Sequence, residues 1–321
     1  MRDLLRSVKE STAKVVNSAR HVSLNGERLT ALSQQLNPSD IASAYRYEGE
    51  FYFKDSSEQL LNYVFTLNAV NFGSGLSHEW RNKRKYPGSS FKSTADGLKR
   101  LAQSGVSLDA QFAASIAEKQ IAQILGVDPG FRLVSMFRQS LNELGRFVSE
   151  KYGSYASLIE SLDPQTRAAR LAELLFSNLK TYHDVSRYHG SKVFFLKRAQ
   201  IISSDLFLAF EGKGYGEIHD IDQLTMFADN LLPHYFRVEG VLTYADDLLG
   251  RITRGEEIPA GSEEEIEIRA FAVQAVEQMK ELLQRKEKTI TAAMIDNYIW
   301  HAAQDLKYKS LPRHRTVTWF Y

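Results

Sequence analysis

The sequence predicts an all-α fold: one mostly helical, compact domain over residues 1–321, with residues 1–60 its least clearly patterned portion. Apolar residues recur at helical intervals over long stretches, where a strand protein would alternate them. Capping residues and glycines punctuate those stretches. Proline, which would interrupt them, occurs only seven times. A chain of 321 residues, 43% of them hydrophobic, is long enough for a sizeable core without staples.

Leu5, Val8, Val15, Val16 and Ala19 mark an opening amphipathic helix. Tyr45 to Phe53 alternates aromatic and polar residues and is the one β signal, so a minor strand is expected there. Asp55 and Glu58 read as a capping box before a helix that buries Leu60, Leu61, Val64 and Phe65. Ser104-Gly105 and Gly126 close the next two helices. A long helix is expected from Phe131 to Lys151, another opening at Asp163-Pro164, and a largely apolar one from Ser191 to Phe210. Asp220 or Asp222 is expected to cap a short helix that runs through Asp229 and ends near Pro233. Ser262 and Glu265 form a capping box for a helix to about Arg285, and Thr291 to Leu306 is the last helix.

Composition excludes several chemistries. Without cysteine there is no disulfide framework, thiolate metal site or cysteine nucleophile. The eight histidines form no metal-binding pair, no phosphate-cradling glycine loop is present, and no metal or cofactor is expected. A net charge of +1 argues against stable nucleic-acid binding. The charged opening Met1-Arg2-Asp3 is unlike a signal peptide, and no run of apolar residues could span a membrane, so a soluble cytoplasmic protein is expected.

Lys197 and Arg198 stand within an apolar segment, where an unpaired cation is costly. On a helix Lys197, Ile201 and Asp205 fall within about 80° of each other, so Lys197 either pairs with Asp205 or is held for an anionic ligand such as a phosphate. Asp229, read as the end of a helix, would meet the unfavourable end of the dipole. It is then either a solvated cap or a reactive carboxylate. Asp296 with Trp300, and Asn297 with His301, lie one turn apart, a set able to stack a heteroaromatic base and read its edge, or else part of a core. Residues 244–285 outline two helices around a Pro/Gly turn, but Glu263-Glu264-Glu265 repels a phosphate backbone.

Phe195-Leu196-Lys197-Arg198-Ala199-Gln200-Ile201, Thr225-Met226-Phe227-Ala228-Asp229, Glu265-Ile266-Glu267-Ile268-Arg269, Asp296 through Trp300, and His314-Arg315 with Tyr321 occur in that order. Their order and spacing resemble the queuosine salvage family of queuosine 5′-phosphate N-glycosylases, from about Asn62 onward. The resemblance implies a fold related to helical DNA glycosylases. It also implies hydrolysis of the N-glycosidic bond of queuosine 5′-monophosphate, releasing queuine for reuse in tRNA. It places the catalytic aspartate at Asp229 and base contacts at Phe227, Asp296, Asn297 and His301. Trp300 joins the base-binding set, and Lys197 is matched to the 5′-phosphate. The chain departs from the family pattern at Asn297 and His301, and neither His21 nor His78 matches the family's N-terminal histidine. Two other readings remain: an N-glycosylase for another nucleotide or nucleoside, and a non-catalytic helical module binding tRNA through the basic tail.

Overall fold

The computed structural model describes residues 3–55, 58–79 and 89–321. Among these, sixteen α-helices and four short strands make up the regular structure, so the protein is mostly helical. No helix among the described residues is long and apolar enough to cross a membrane.

The chain divides into two units. The first comprises Met1–Tyr45, Asp184–Lys197 and Asp222–Val317. Its spine is the Glu263–Gln284 helix, opened as expected by Ser262, whose hydroxyl accepts the Glu265 amide at 3.3 Å. The amphipathic Leu4–Val16 helix packs along it, burying Leu5, Val8 and Val15. The fully buried Glu267 projects from the spine. Its carboxylate accepts the amides of Arg20 (3.0 Å), His21 (2.6 Å) and Val22 (2.9 Å) and the Tyr188 hydroxyl (2.8 Å). That fastens strand Val22–Leu24, which pairs antiparallel with Leu242–Tyr244.

The expected helix from Ser191 to Phe210 is two elements. Ser191–Phe194 is a strand, paired with Val185–Tyr188 through a turn at His189-Gly190, where both residues have positive φ (45° and 80°). The β-branched and aromatic Val193-Phe194-Phe195 favours the extended form, and the helix proper is Lys197–Ala209. The last helix also divides: Thr291 caps Ala292–Ala302, and a separate short helix covers Leu306–Lys309.

The second unit comprises Arg46–His183, Arg198–Ile221 and Thr318–Tyr321. The strand expected at 45–53 is absent: Gly49 (φ 146°) turns the chain, and the Tyr47 and Tyr52 rings stack at 4.1 Å. The aromatics here pack on each other and not across a ladder. Helix Glu58–Ala69 buries Leu60, Leu61, Val64 and Phe65 as expected. Residues 56–57, inside its expected capping box, lie outside the described residues. The helix expected to open at Asp163-Pro164 begins at Arg167 instead. Asp163 caps only a turn, and the helix takes its cap from Asp220, which accepts the amides of Ala168 (2.9 Å) and Ala169 (3.0 Å).

Arg198, the second cation of the apolar segment, is fully buried. It donates to the carbonyls of Asn68 (3.3 Å), Ala69 (2.5 Å), Thr181 (2.9 Å) and Trp319 (2.9 Å) and to the Ser140 hydroxyl (2.7 Å). Its guanidinium lies 4.7 Å from the Phe72 ring centre and 4.1 Å from that of Tyr182. It anchors the fold, with its donors spread over main-chain oxygens.

The long Arg132–Lys151 helix meets Ala110–Ser115 at Gly145, where an added Cβ would come within 2.2 Å of the Ala114 nitrogen and 2.5 Å of the Ala110 oxygen. Backbone cannot yield as a flexible side chain does. Gly145→Ala is expected to destabilise the protein by about 1–3 kcal/mol. A urea midpoint equal to wild type would show that the two helices separate freely.

Candidate active site

Leu224–Asp229 is neither helical nor part of a strand. The expected short helix is only a 3-10 turn at Ile221–Gln223. Its backbone groups find partners far away in sequence: the Phe227 amide donates to Asp296 Oδ2 (2.8 Å), and Arg269 Nε donates to the Ala228 carbonyl (2.9 Å). These tertiary bonds replace helical ones and fix the segment on both sides of Phe227.

Asp229 therefore sits where a helix begins, the opposite of its predicted place. Its Oδ1 accepts the amides of Leu231 (2.7 Å) and Leu232 (3.3 Å), the first residues of the Leu231–Val238 helix. Pro233 falls in that helix's first turn, where its missing amide is no loss. The carboxylate thus meets the favourable end of the helix dipole and is locked in orientation.

Asp296, on the Ala292–Ala302 helix, is buried. Burial, followed by the charge of Asp229, pushes its carboxyl well above the usual carboxylate range; the Phe227 amide and the Lys197 cation pull in the other direction. Burial is the largest of these effects, so the site favours the protonated form of Asp296 more than water does. Lys197 is itself only 4% exposed. The structure therefore brings together four residues expected from sequence: Lys197, Phe227, Asp229 and Asp296.

The rest of the predicted set is more peripheral. Asn297 and Trp300 are half-buried, and His301 is exposed, its ring edge-on to Trp300 at 5.1 Å. The Asn297 side-chain oxygen is shielded from solvent and has no hydrogen-bond partner. Such an acceptor is costly to leave unmet.

Two buried residues at the site escaped the sequence reading. Arg269 makes a bidentate pair with Asp184 (Nη1–Oδ1 2.9 Å, Nη2–Oδ2 2.8 Å) and lies 3.9 Å from the Phe195 ring centre. Asp184 Oδ2 also accepts the Lys197 amide at 3.1 Å. Arg269 stands within a motif singled out above; Asp184 carries no local signal.

The tail's His314 and Thr316 are buried: Asn230 donates to the His314 carbonyl (3.3 Å), and the Ile258 amide to that of Arg315 (2.7 Å). The Arg315 guanidinium donates to the Gly255 carbonyl at 3.1 Å. The segment is packed structure and not a free basic arm.

A buried carboxyl with a raised affinity for its proton, a second carboxylate and a buried lysine can together serve hydrolysis of a glycosyl bond in an anionic substrate. The chain belongs to the family described as queuosine salvage protein, whose model matches residues 51–321. A protein of Sphaerobacter thermophilus, named queuosine 5′-phosphate N-glycosylase/hydrolase, is 33% identical over 319 residues, covering 98% of this chain and 97% of its own. Proteins with the same name from Dictyostelium discoideum (32% identical, 99% of both chains) and Bos taurus (29% identical, 99% of this chain and 100% of its own) are similar over the same extent. The likeness thus reaches into the first 60 residues, further than the motifs alone carry it.

Two buried histidines flank this site. His234 Nε2 faces the Tyr308 carbonyl (2.8 Å) and Nδ1 faces an Arg237 donor (3.2 Å), which fixes the neutral Nε2–H form. Burial above all lowers His234 to about 4 and His314 to about 3. Above the unfolded value of roughly 6.5 both states are neutral. Below it only the unfolded chain takes up protons, so stability falls with acid, by about 1.4 kcal/mol per pH unit for each histidine, until the folded values are reached. Urea midpoints between pH 7 and 5 are expected to fall more steeply for wild type than for His234→Gln. Equal slopes would assign the acid sensitivity elsewhere.

Proposed function

We infer that this chain hydrolyses the N-glycosidic bond of queuosine 5′-monophosphate, giving ribose 5-phosphate and free queuine. The observation that carries the reading is the buried Asp296, bonded to the Phe227 amide two residues before Asp229, where burial and the Asp229 charge favour its protonated form. The leaving base is a 7-deazapurine, in which carbon replaces a ring nitrogen that other purine glycosylases often protonate. Activation must come through another edge of the base, and a buried, protonated carboxyl supplies a donor there.

As the C1′–N bond breaks, its electron pair goes to the base and positive charge develops on the ribose. Asp229 is the carboxylate assigned to stabilise that charge; its hydrogen bonds to the Leu231 and Leu232 amides hold it without reorganisation. Water adds to C1′ and the base departs with a proton. Lys197 is assigned to the 5′-phosphate as a compact cation. Phe227, Asn297 and Trp300 are assigned to the base, with the unmet Asn297 oxygen offering an acceptor to its amino edge. His301, being exposed, suits an outer contact.

Purified protein is expected to release queuine from queuosine 5′-monophosphate, followed by liquid chromatography. Asp229→Ala is expected to lose about 10²–10³-fold in kcat. Equal release by both proteins would move the catalysis off Asp229. If neither releases queuine, a panel of purine and deazapurine nucleotides tests for another base.

Asp296 acts as a donor only while protonated, so the wild-type rate is expected to fall at alkaline pH as that proton is lost. Asp296→Asn keeps a donor that does not titrate. It should work more slowly, without the alkaline fall. An unchanged alkaline limb in the variant would assign the titration to another group.

A further inference from the structure

We propose that Arg269 and Asp184 form a positioning clamp that ties the placement of Lys197 to that of Asp229. The inference rests on the roles given to those two residues above. The Arg269 guanidinium hydrogen-bonds into a small buried network. Nε holds the carbonyl of Ala228, the residue before Asp229, at 2.9 Å. The two terminal nitrogens hold Asp184, and one also reaches Glu265 at 3.5 Å. Asp184 in turn takes the Lys197 amide at 3.1 Å. One ion pair thus separates the main chain of the phosphate residue from that of the catalytic carboxylate.

The chain at Lys197 is also held in a form it would not choose. Leu196, fully buried, has φ 58°, the left-handed region that leucine rarely adopts. The turn is pinned before and after it: the Phe195 amide donates to the Asp184 carbonyl at 3.2 Å, and the Lys197 amide to the Asp184 carboxylate at 3.1 Å. Strained backbone persists only where its surroundings over-determine it, and such positions gather at functional sites. A buried ion pair is no reliable source of net stability. What this one supplies is a fixed fork between two loops, geometry that an ammonium cannot reproduce.

The test compares kcat and KM for queuosine 5′-monophosphate and for queuosine in wild type, Lys197→Ala, Arg269→Lys and the double variant. Gly145→Ala, which lowers stability away from the clamp, is the control. Arg269→Lys is expected to lower kcat for both substrates by about 10²-fold through misplacement of Asp229. It should also shrink the preference for nucleotide over nucleoside about as much as Lys197→Ala does. The double variant should lose no further preference, and Gly145→Ala should leave the preference intact. Arg269→Lys that behaves like Gly145→Ala, less stable but with wild-type preference and kcat, overturns the clamp. If Lys197→Ala itself leaves the preference unchanged, the phosphate role of Lys197 fails, and the coupling fails with it for that separate reason. Should Arg269→Lys not fold, Asp184→Asn, which keeps the shape and weakens the same fork, is read in the same way.

Discussion

The buried pair between Arg269 and Asp184 is the interaction on which the site's geometry depends. Both side chains are almost wholly out of solvent, so each must find all its partners within the protein. That requirement organises the backbone around them: a non-helical Leu224–Asp229 segment that offers the Ala228 carbonyl, and a turn at Leu196 that leads to the Lys197 amide. Neither feature is favoured by its own residues. The long Glu263–Gln284 helix supplies Arg269 on a rigid support, and one turn of the same helix carries Glu265 and Glu267 inward.

The two aspartates sit in different environments. Asp229 meets two main-chain amides at a helix start, which fix its orientation. Asp296 has a single amide, an apolar surrounding and a negative neighbour, a setting that favours the acid. A buried carboxyl raised in this way, near a second one fixed by main-chain amides, is an arrangement that general acid and electrostatic catalysis can use.

Much of the helical frame was legible because its signals are local. Ser262 before Glu265, Thr291 before its helix, and Gly126 at a helix end all act within one turn of themselves. The errors fall where distant partners decide. Asp163-Pro164 looked like a helix start, but the cap comes from Asp220, over fifty positions away. Tyr45 to Phe53 alternated like a strand, yet its rings stack on one another around Gly49. At the site, the identities of Lys197, Asp229 and Asp296 were readable from motifs, whereas the helix direction at Asp229 was not. Its amide and carbonyl neighbours are claimed by Asp296 and Arg269 across the chain, which no window of sequence reveals. Asp184, bound to Arg269 at a separation of 85 positions, had no signal at all.

The packing of the Leu4–Val16 helix against Glu263–Gln284 has a consequence for how the protein is made. Gln274 hydrogen-bonds to Lys9 and Thr12, and the first of these contacts joins residues 265 positions apart. A ribosome adding roughly 5–20 residues per second leaves the first helix without its partner for on the order of 10–50 s. For that interval its Leu5, Val8 and Val15 face lacks the Glu263–Gln284 helix it packs along, while the second unit's Arg46–His183 stretch emerges in full. The unit that holds the candidate site thus gains its spine only when residues near 280 are released, and its earliest segment is an amphipathic helix that a chaperone could hold until then.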